Sequence, residues 1–363
     1  MTGLAPPTAL LPDLDGPPGG NAPRPAPAAG SGFRYNPPMR SRRDFLRLSA
    51  AAAAAAGTLG GIGRAARALP LLVEGAERRK ALEKPLPKRK LGKTGLEVTI
   101  AGLGCFYLGN LQDDDRATGI VRRAFELGVN YFDTAPSYNK GVSERRVAKA
   151  LAGHRDEVIL ATKSTHDDGP SAVKELEGSL GRLGTDHVDI FQFHALRTAE
   201  EVETLFGEGG AFEAVEKAKK EGKVRHIGFT GHFDPGLLAA VARERPVETV
   251  LLPLNCIDRH EKSFEEGTLP DAVKRSLGII AMKVFASGRL LDDPARSPTP
   301  QECLRYVLTL PVSTAIVGCA SVEELEADLA LAKTFEALTE KEMAALVEKT
   351  RPFVPKKIEW YKR

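Results

Sequence analysis

The sequence predicts an α/β fold, a (β/α)8 barrel preceded by an N-terminal β-hairpin and a disordered or signal segment. Three observations carry this expectation. From about residue 88 onward, short runs rich in Val, Ile, Leu and Phe alternate with amphipathic stretches. Eight such pairs fill about 250 residues, the count and size of a closed barrel of parallel strands. Polar residues gather where several of those runs end, the rim on which such barrels carry their chemistry. The 363 residues are 42% hydrophobic and 27% charged, enough for a large core and incompatible with disorder throughout. Lys and Arg number 51 against 48 Asp and Glu, and the excess is local. Residues 1–70 hold 8 Arg, no Lys and 3 Asp, which leaves 43 basic and 45 acidic residues in the rest. That balance provides no basic face for nucleic acid. Cys105, Cys256, Cys303 and Cys319 are widely spaced, without the C-x-x-C spacing of zinc or iron–sulfur sites, and read as buried thiols rather than a disulfide framework.

In chain order, residues 1–38 are rich in Pro, Gly and Ala and are expected to be disordered, with Met39 an alternative start. Residues 39–68 resemble a twin-arginine (Tat) signal peptide. Arg42-Arg43-Asp44-Phe45-Leu46 precedes a weakly apolar Ala/Gly run, and Ala66-Arg67-Ala68 ends it as an A-x-A cleavage site. An Ala-rich helix within the fold and an uncleaved membrane anchor remain as alternatives, although the run is short for the ~20 residues of a span. The expectation is export by the twin-arginine machinery to the periplasm or another extracytoplasmic space, with no stable span in the mature protein. Residues 69–87 read as a charged linker, 88–345 as the barrel and 346–363 as a C-terminal tail.

Strands are expected at 100–105, 130–135, 158–163, 187–194, 224–230, 249–255, 278–284 and 312–318. Helices are expected at 113–127, 143–151, 171–183, 211–221, 235–243, 269–277, 300–309 and 322–332. A doubly wound open sheet is the alternative, but its G-x-G-x-x-G fingerprint is incomplete in Gly102-Leu103-Gly104-Cys105-Phe106-Tyr107.

The strand ends carry the chemistry. The second strand runs into Asp133-Thr134-Ala135-Pro136-Ser137-Tyr138, the third ends Thr162-Lys163 and the fourth ends Gln192-Phe193-His194. Asp133, Tyr138, Lys163 and His194 therefore fall on one rim. A phenol with an ordinary pKa of about 10 is a poor proton donor near neutrality, and a neighbouring ammonium favours its phenolate. Lys163 supplies that charge, Asp133 keeps the lysine protonated and aimed, and His194 is placed to hydrogen-bond a substrate carbonyl oxygen. Each residue alone has an ordinary structural reading, as a cap, a loop aromatic, a strand-end lysine or a core histidine. Four of them on one rim point to a proton-relay site.

Residues 88–345 resemble an aldo-keto reductase. The matching motifs run in order from Lys90-Leu91-Gly92-Lys93-Thr94-Gly95-Leu96-Glu97-Val98, an expected hairpin, through Phe132-Asp133-Thr134-Ala135 with Tyr138, Ser143-Glu144 and Ala161-Thr162-Lys163. They continue with Asp189-Ile190-Phe191-Gln192-Phe193-His194, Lys223-Val224-Arg225-His226-Ile227-Gly228 and Val317-Gly318. The resemblance implies NAD(P)H bound across the rim and interconversion of a small carbonyl compound and its alcohol. Tyr138 would be the general acid/base, Lys163 and Asp133 would tune it, and His194 would polarise the carbonyl.

The cofactor positions depart further from the family. Its Ser-Asn pair reads Thr230-Gly231, followed by His232; its Gln, four residues before Asn255, is Leu251; and its stacking aromatic is replaced around Met282-Lys283. Asn255, Lys283, Ser287, Gly288 and Arg289 are the remaining contacts on that side, with Gly288 where backbone must approach a pyrophosphate. The last element comprises Gly318, Ser321, Glu324 and Asp328, with Ser321 and Glu324 in the spacing of a capping box. Ala320 stands where members selective for NADP carry a basic residue, and Glu323 and Glu324 follow it. The expected cofactor is NADP or NAD, with NADH bound at least comparably to NADPH. Two other readings stay open. One is a dinucleotide-binding sensor or auxiliary subunit with little turnover; the other is a sugar-binding barrel without a dinucleotide.

Overall fold

The computed structural model describes residues 75–293 and 296–362. The expected disordered extension, the signal peptide and the start of the linker lie outside the described residues.

Among the described residues, ten strands organise the fold. β1 (Lys88–Lys90) and β2 (Glu97–Thr99) pair antiparallel as the expected hairpin. The other eight are β3 (Ala101–Gly104), β4 (Tyr131–Asp133), β5 (Ile159–Ser164), β6 (Val188–Leu196), β7 (Val224–Gly231), β8 (Thr249–Pro253), β9 (Gly278–Met282) and β10 (Thr314–Val317). They close into a barrel in the order β10-β3-β4-β5-β6-β7-β8-β9, each pair parallel. Successive strands are neighbours because each intervening helix returns the chain to the same edge. The open-sheet alternative is thereby excluded.

Side-chain alternation along the strands separates two apolar regions. Tyr131, Ile159, Ala161, Ile190, Leu251, Ile280 and Met282 fill the barrel interior together with Leu91 and Val98 of the hairpin. Their neighbours Phe132, Leu160, Phe191, Val250 and Ile279 face the surrounding helices. The hairpin plugs the N-terminal end. Gly92 there adopts φ +53°, and a Cβ at this position would collide with Gly278 N, so the close approach requires glycine. Interior alternation then places Asp133, Lys163 and His194 at the opposite end, two residues beyond Tyr131, Ala161 and Gln192 respectively.

The eight expected helices are present, with ends shifted by a few residues at most. Three segments differ from expectation. Residues 75–82 of the supposed linker are helical, and Lys333 Nζ donates to Leu82 O (2.9 Å) and Lys84 O (2.8 Å), docking them on the barrel. The stretch 195–210, where no element is expected, contains the helix Ala199–Phe206, started by a reciprocal capping box between Thr198 and Glu201. The supposed tail is folded: helix Glu340–Thr350 leads into single turns at Arg351–Lys356 and Trp360–Lys362, with Phe353, Tyr361 and Lys362 buried. All four cysteines are buried thiols outside any disulfide, as expected. Among the described residues no helix is long and apolar enough to cross a membrane, and no group of three His, Cys, Asp or Glu residues is arranged to hold a metal ion.

Candidate active site

Lys163 and Asp133 form the base of the site. Both are fully buried, on adjacent strands β5 and β4, and Lys163 Nζ donates to Asp133 Oδ1 (2.6 Å) and to Thr134 O (2.7 Å). Burial alone would lower the pKa of this ammonium, but Asp133, and after it Tyr138, hold it above the ordinary lysine value. Burial pushes the Asp133 carboxyl up, against the pull of Lys163. Oδ2 of Asp133 has no hydrogen-bond partner.

Tyr138 lies beyond β4 on a strained turn. Asn139 (φ 50°), Lys140 (φ 54°) and Gly141 (φ 76°) are consecutive left-handed residues, after which helix Val142–Ala150 begins. The turn is held from both sides. Asn139 Nδ2 donates to Gly109 O (2.7 Å), and a Cβ at Gly109 would stand 2.9 Å from Tyr138 O. Ser143 Oγ donates to Cys105 O (2.9 Å), while the fully buried Glu144 accepts from Thr162 Oγ1 (2.7 Å) and Arg182 Nε (2.6 Å). The Ser143-Glu144 motif thus anchors the helix that follows Tyr138 to β5.

These restraints place the Tyr138 ring with its centroid 4.9 Å from Lys163 Nζ, edge-on to Phe106 (5.2 Å between centroids) and to His194 (6.1 Å). Lys163 draws the phenol toward its anion, as expected, but burial outweighs that pull. Burial pushes the Tyr138 pKa up to about 12, and the pull of Lys163 only partly offsets it. The phenol is therefore protonated at neutral pH, poised to donate. His194 is neutral: burial, followed by repulsion from Lys163, Lys283 and Arg197, lowers its pKa to about 3. Its Nδ1 is buried and without a hydrogen-bond partner. Beside it opens a cavity of about 250 Å³, lined by Ser164, His166, His194, Arg197 and Leu205 among others. The four expected catalytic residues meet around one point on the rim.

The expected cofactor residues divide into two groups. Thr230, Gly231, Asn255, Gly318, Ser321 and Glu324 have structural partners. Thr230 Oγ1 accepts from Ala195 N (2.8 Å), fixing the irregular end of β6 just beyond His194. A Cβ at Gly231 would lie 2.6 Å from Leu238, and one at Gly318 would lie 2.8 Å from Tyr107. Asn255 donates to Tyr361 Oη (2.9 Å) and its Oδ1 accepts from Ile257 N (3.1 Å). Ser321 caps the helix Val322–Lys333, while Glu324 reaches back to Ala320 N (2.9 Å). Asp328, on that same helix, is fully buried.

Lys283, Ser287, Gly288 and Arg289 form the second group. Lys283 (φ 61°), Ala286 (φ 47°), Ser287 (φ 59°) and Gly288 (φ 87°) give the loop after β9 four left-handed residues within six. Burial lowers the Lys283 pKa to about 8. Among the described residues no carboxylate lies within ion-pair distance of the Lys283 ammonium or the Arg289 guanidinium, a donor set that fits the pyrophosphate of a dinucleotide. The orphaned Nδ1 of His194 likewise fits an oxygen brought to the rim. Sequence reasoning passed over His232, whose pKa falls well below the ordinary value through burial and then Lys283, and whose ring lies 6.3 Å from that of Tyr361. It also passed over Trp360, Tyr361 and Lys362, which nothing local in the sequence connects to the rim.

Comparison with known proteins agrees with this geometry. L-galactose dehydrogenase of Arabidopsis thaliana is 30% identical over 303 residues, covering 72% of this chain and 94% of its own. An uncharacterized oxidoreductase, YqkF of Bacillus subtilis, is 28% identical, covering 73% of this chain and 96% of its own. Among solved structures, the holo form of aldo-keto reductase AKR11C1 from Bacillus halodurans superposes with a TM-score of 0.63 at 25% identity, covering 73% and 96% of the two chains. The profile of the aldo/keto reductase family matches residues 101–303, over β3 to β9 and the rim they build, and the chain belongs to that family of NAD(P)-dependent oxidoreductases.

Proposed function

We propose that the protein interconverts the carbonyl of a small aldehyde, ketone or sugar with the corresponding alcohol, with Tyr138 as the general acid/base. The observation that carries this reading is the buried Asp133–Lys163 pair held against a protonated Tyr138, with the neutral His194 ring beside it. When bound, the reduced nicotinamide supplies the hydride and is itself oxidised. The protein supplies position and a proton. The His194 imidazole, uncharged, donates a hydrogen bond to the carbonyl oxygen and orients it toward Tyr138. As the carbon is reduced, negative charge grows on that oxygen and the Tyr138 hydroxyl passes its proton to it. The phenolate left behind faces the Lys163 ammonium, which Asp133 keeps charged. Reversal makes the phenolate the base that accepts the alcohol proton.

Lys283, Arg289 and the left-handed loop Ala286–Gly288 would hold the dinucleotide phosphates. At the adenosine end, the first turn of helix Val322–Lys333 carries Glu323 and Glu324, and Ala320 precedes them. A 2′-phosphate with nearly two negative charges meets carboxylates there, so NADH binds at least as well as NADPH. Purified protein should oxidise NADH or NADPH in the presence of members of a carbonyl panel. Dinucleotide binding without any substrate-dependent oxidation would instead favour a sensor or auxiliary subunit. The twin-arginine-like segment carries a further proposal, that the protein folds with its cofactor before export; fractionation of expressing cells tests it.

A further inference from the structure

The turn Trp360–Lys362, near the end of the described chain, sits beside Lys283 and Arg289 although nothing in the resemblance assigns it there. Lys362, only 4% exposed, donates to Asp258 Oδ1 (2.8 Å), Glu359 Oε2 (2.8 Å) and Glu261 O (2.9 Å). Lys262 Nζ in turn donates to Lys362 O (3.2 Å). This buried ammonium fastens the turn Trp360–Lys362 to the segment that follows β8. A charge is buried at such a cost only when its partners are fixed, so the turn has one seat.

Seated there, Tyr361 is buried, accepting from the Asn255 amide (2.9 Å) and donating to Glu359 Oε1 (2.9 Å). Lys283 Nζ lies 5.7 Å from the ring centroids of both Trp360 and Tyr361, and the Arg289 guanidinium lies 5.8 Å from that of Trp360. The two cations that lack a carboxylate therefore have aromatic faces as neighbours. Such faces attract a cation weakly and exclude water beside it, which strengthens the cation's interaction with an anion on its open side.

We propose that Trp360 and Tyr361 form an aromatic wall of the dinucleotide site, latched by Lys362. The proposal rests on the dinucleotide reading of Lys283 and Arg289, and its test separates the two. Trp360 is the only tryptophan in the chain, so quenching of its emission, with energy transfer to the reduced nicotinamide, reports binding of NADH or NADPH to the wild-type protein. Calorimetric titration gives dissociation constants for wild type, Tyr361→Leu, Trp360→Leu and Lys362→Met, each checked by thermal melting. Binding is expected to weaken about tenfold or more in the two leucine variants and in Lys362→Met. It should stay within about threefold of wild type in Tyr361→Phe, which keeps the ring. Hydrogen exchange at residues 358–362 should slow when NADH or NADPH is added to the wild-type protein, a readout that needs no variant to fold. Unchanged or tighter binding in the leucine variants, or faster exchange on binding, would overturn the wall and make the segment a bystander or a plug. Absence of both quenching and binding heat in the wild type would overturn the dinucleotide reading, and the wall with it.

Discussion

Tyr138 and His194 stand edge to face with ring centroids 6.1 Å apart, and burial drives their proton equilibria in opposite directions. The phenol is pushed up to about 12 and the imidazole down to about 3. Neither group changes charge across the neutral range. At saturating cofactor, kcat for carbonyl reduction should therefore be flat from about pH 5 to about pH 9. Alcohol oxidation needs the phenolate, so its rate should climb by about tenfold per pH unit over the same interval. Steady-state pH profiles in both directions check this; a histidine-like break near pH 6.5 in the reduction profile would contradict it.

Lys283 titrates closer to neutrality because burial lowers its pKa to about 8. Its ammonium is present below that value and lost as pH rises through it. Dinucleotide affinity should then fall with increasing pH above about 8, while Lys283→Met should bind weakly and lose this dependence. Dissociation constants measured from pH 6.5 to 9.5 decide the matter, with an unchanged pH dependence in the variant as the contrary result.

Cofactor preference follows from the residues at the start of helix Val322–Lys333. NADH affinity should equal or exceed NADPH affinity, and Ala320→Arg should shift the ratio toward NADPH by about tenfold, the effect of one charge-assisted hydrogen bond. Side-by-side titrations test both statements. A hundredfold wild-type preference for NADPH would mean that a distant cation such as Lys283 or Arg289 reaches the 2′-phosphate.

Glu144 supports the site without touching the reacting atoms. Its carboxylate is fully buried between Thr162 and Arg182, so Glu144→Ala leaves a buried hydroxyl and a guanidinium without their acceptor. The expected cost is about 3 kcal/mol of folding stability, read by denaturant unfolding. Since the same contact anchors the helix after Tyr138, kcat should fall about tenfold while dinucleotide affinity holds.

The strands were legible because each carries a short apolar run bounded by turns, and the β5 alternation Ile159, Ala161, Lys163 already turns Lys163 toward the barrel axis. The gathering of the four proposed catalytic residues on one rim was legible for the same reason: three sit at strand ends, where position along the strand decides position on the rim. Helix Ala199–Phe206 was missed although Thr198 and Glu201 have capping-box spacing. The proton equilibrium of Tyr138 was legible only in part, because sequence shows the neighbouring charge and not the depth of burial. The seat of Tyr361 was not legible at all. Its partner Asn255 lies 106 residues away, and no local periodicity links a terminal turn to a strand end.

Tyr138→Phe removes the proposed proton donor and leaves the ring, its packing on Phe106 and His194, and the Asp133–Lys163 pair in place. The direct measurement is kcat/KM for reduction of a carbonyl substrate by wild type and Tyr138→Phe, with dinucleotide dissociation constants determined in parallel. A loss of about a thousandfold in kcat/KM, with cofactor affinity within a factor of about two, is the expected result. Wild-type turnover retained in Tyr138→Phe would contradict the assignment of the proton to this phenol and, with it, the chemistry proposed for the rim.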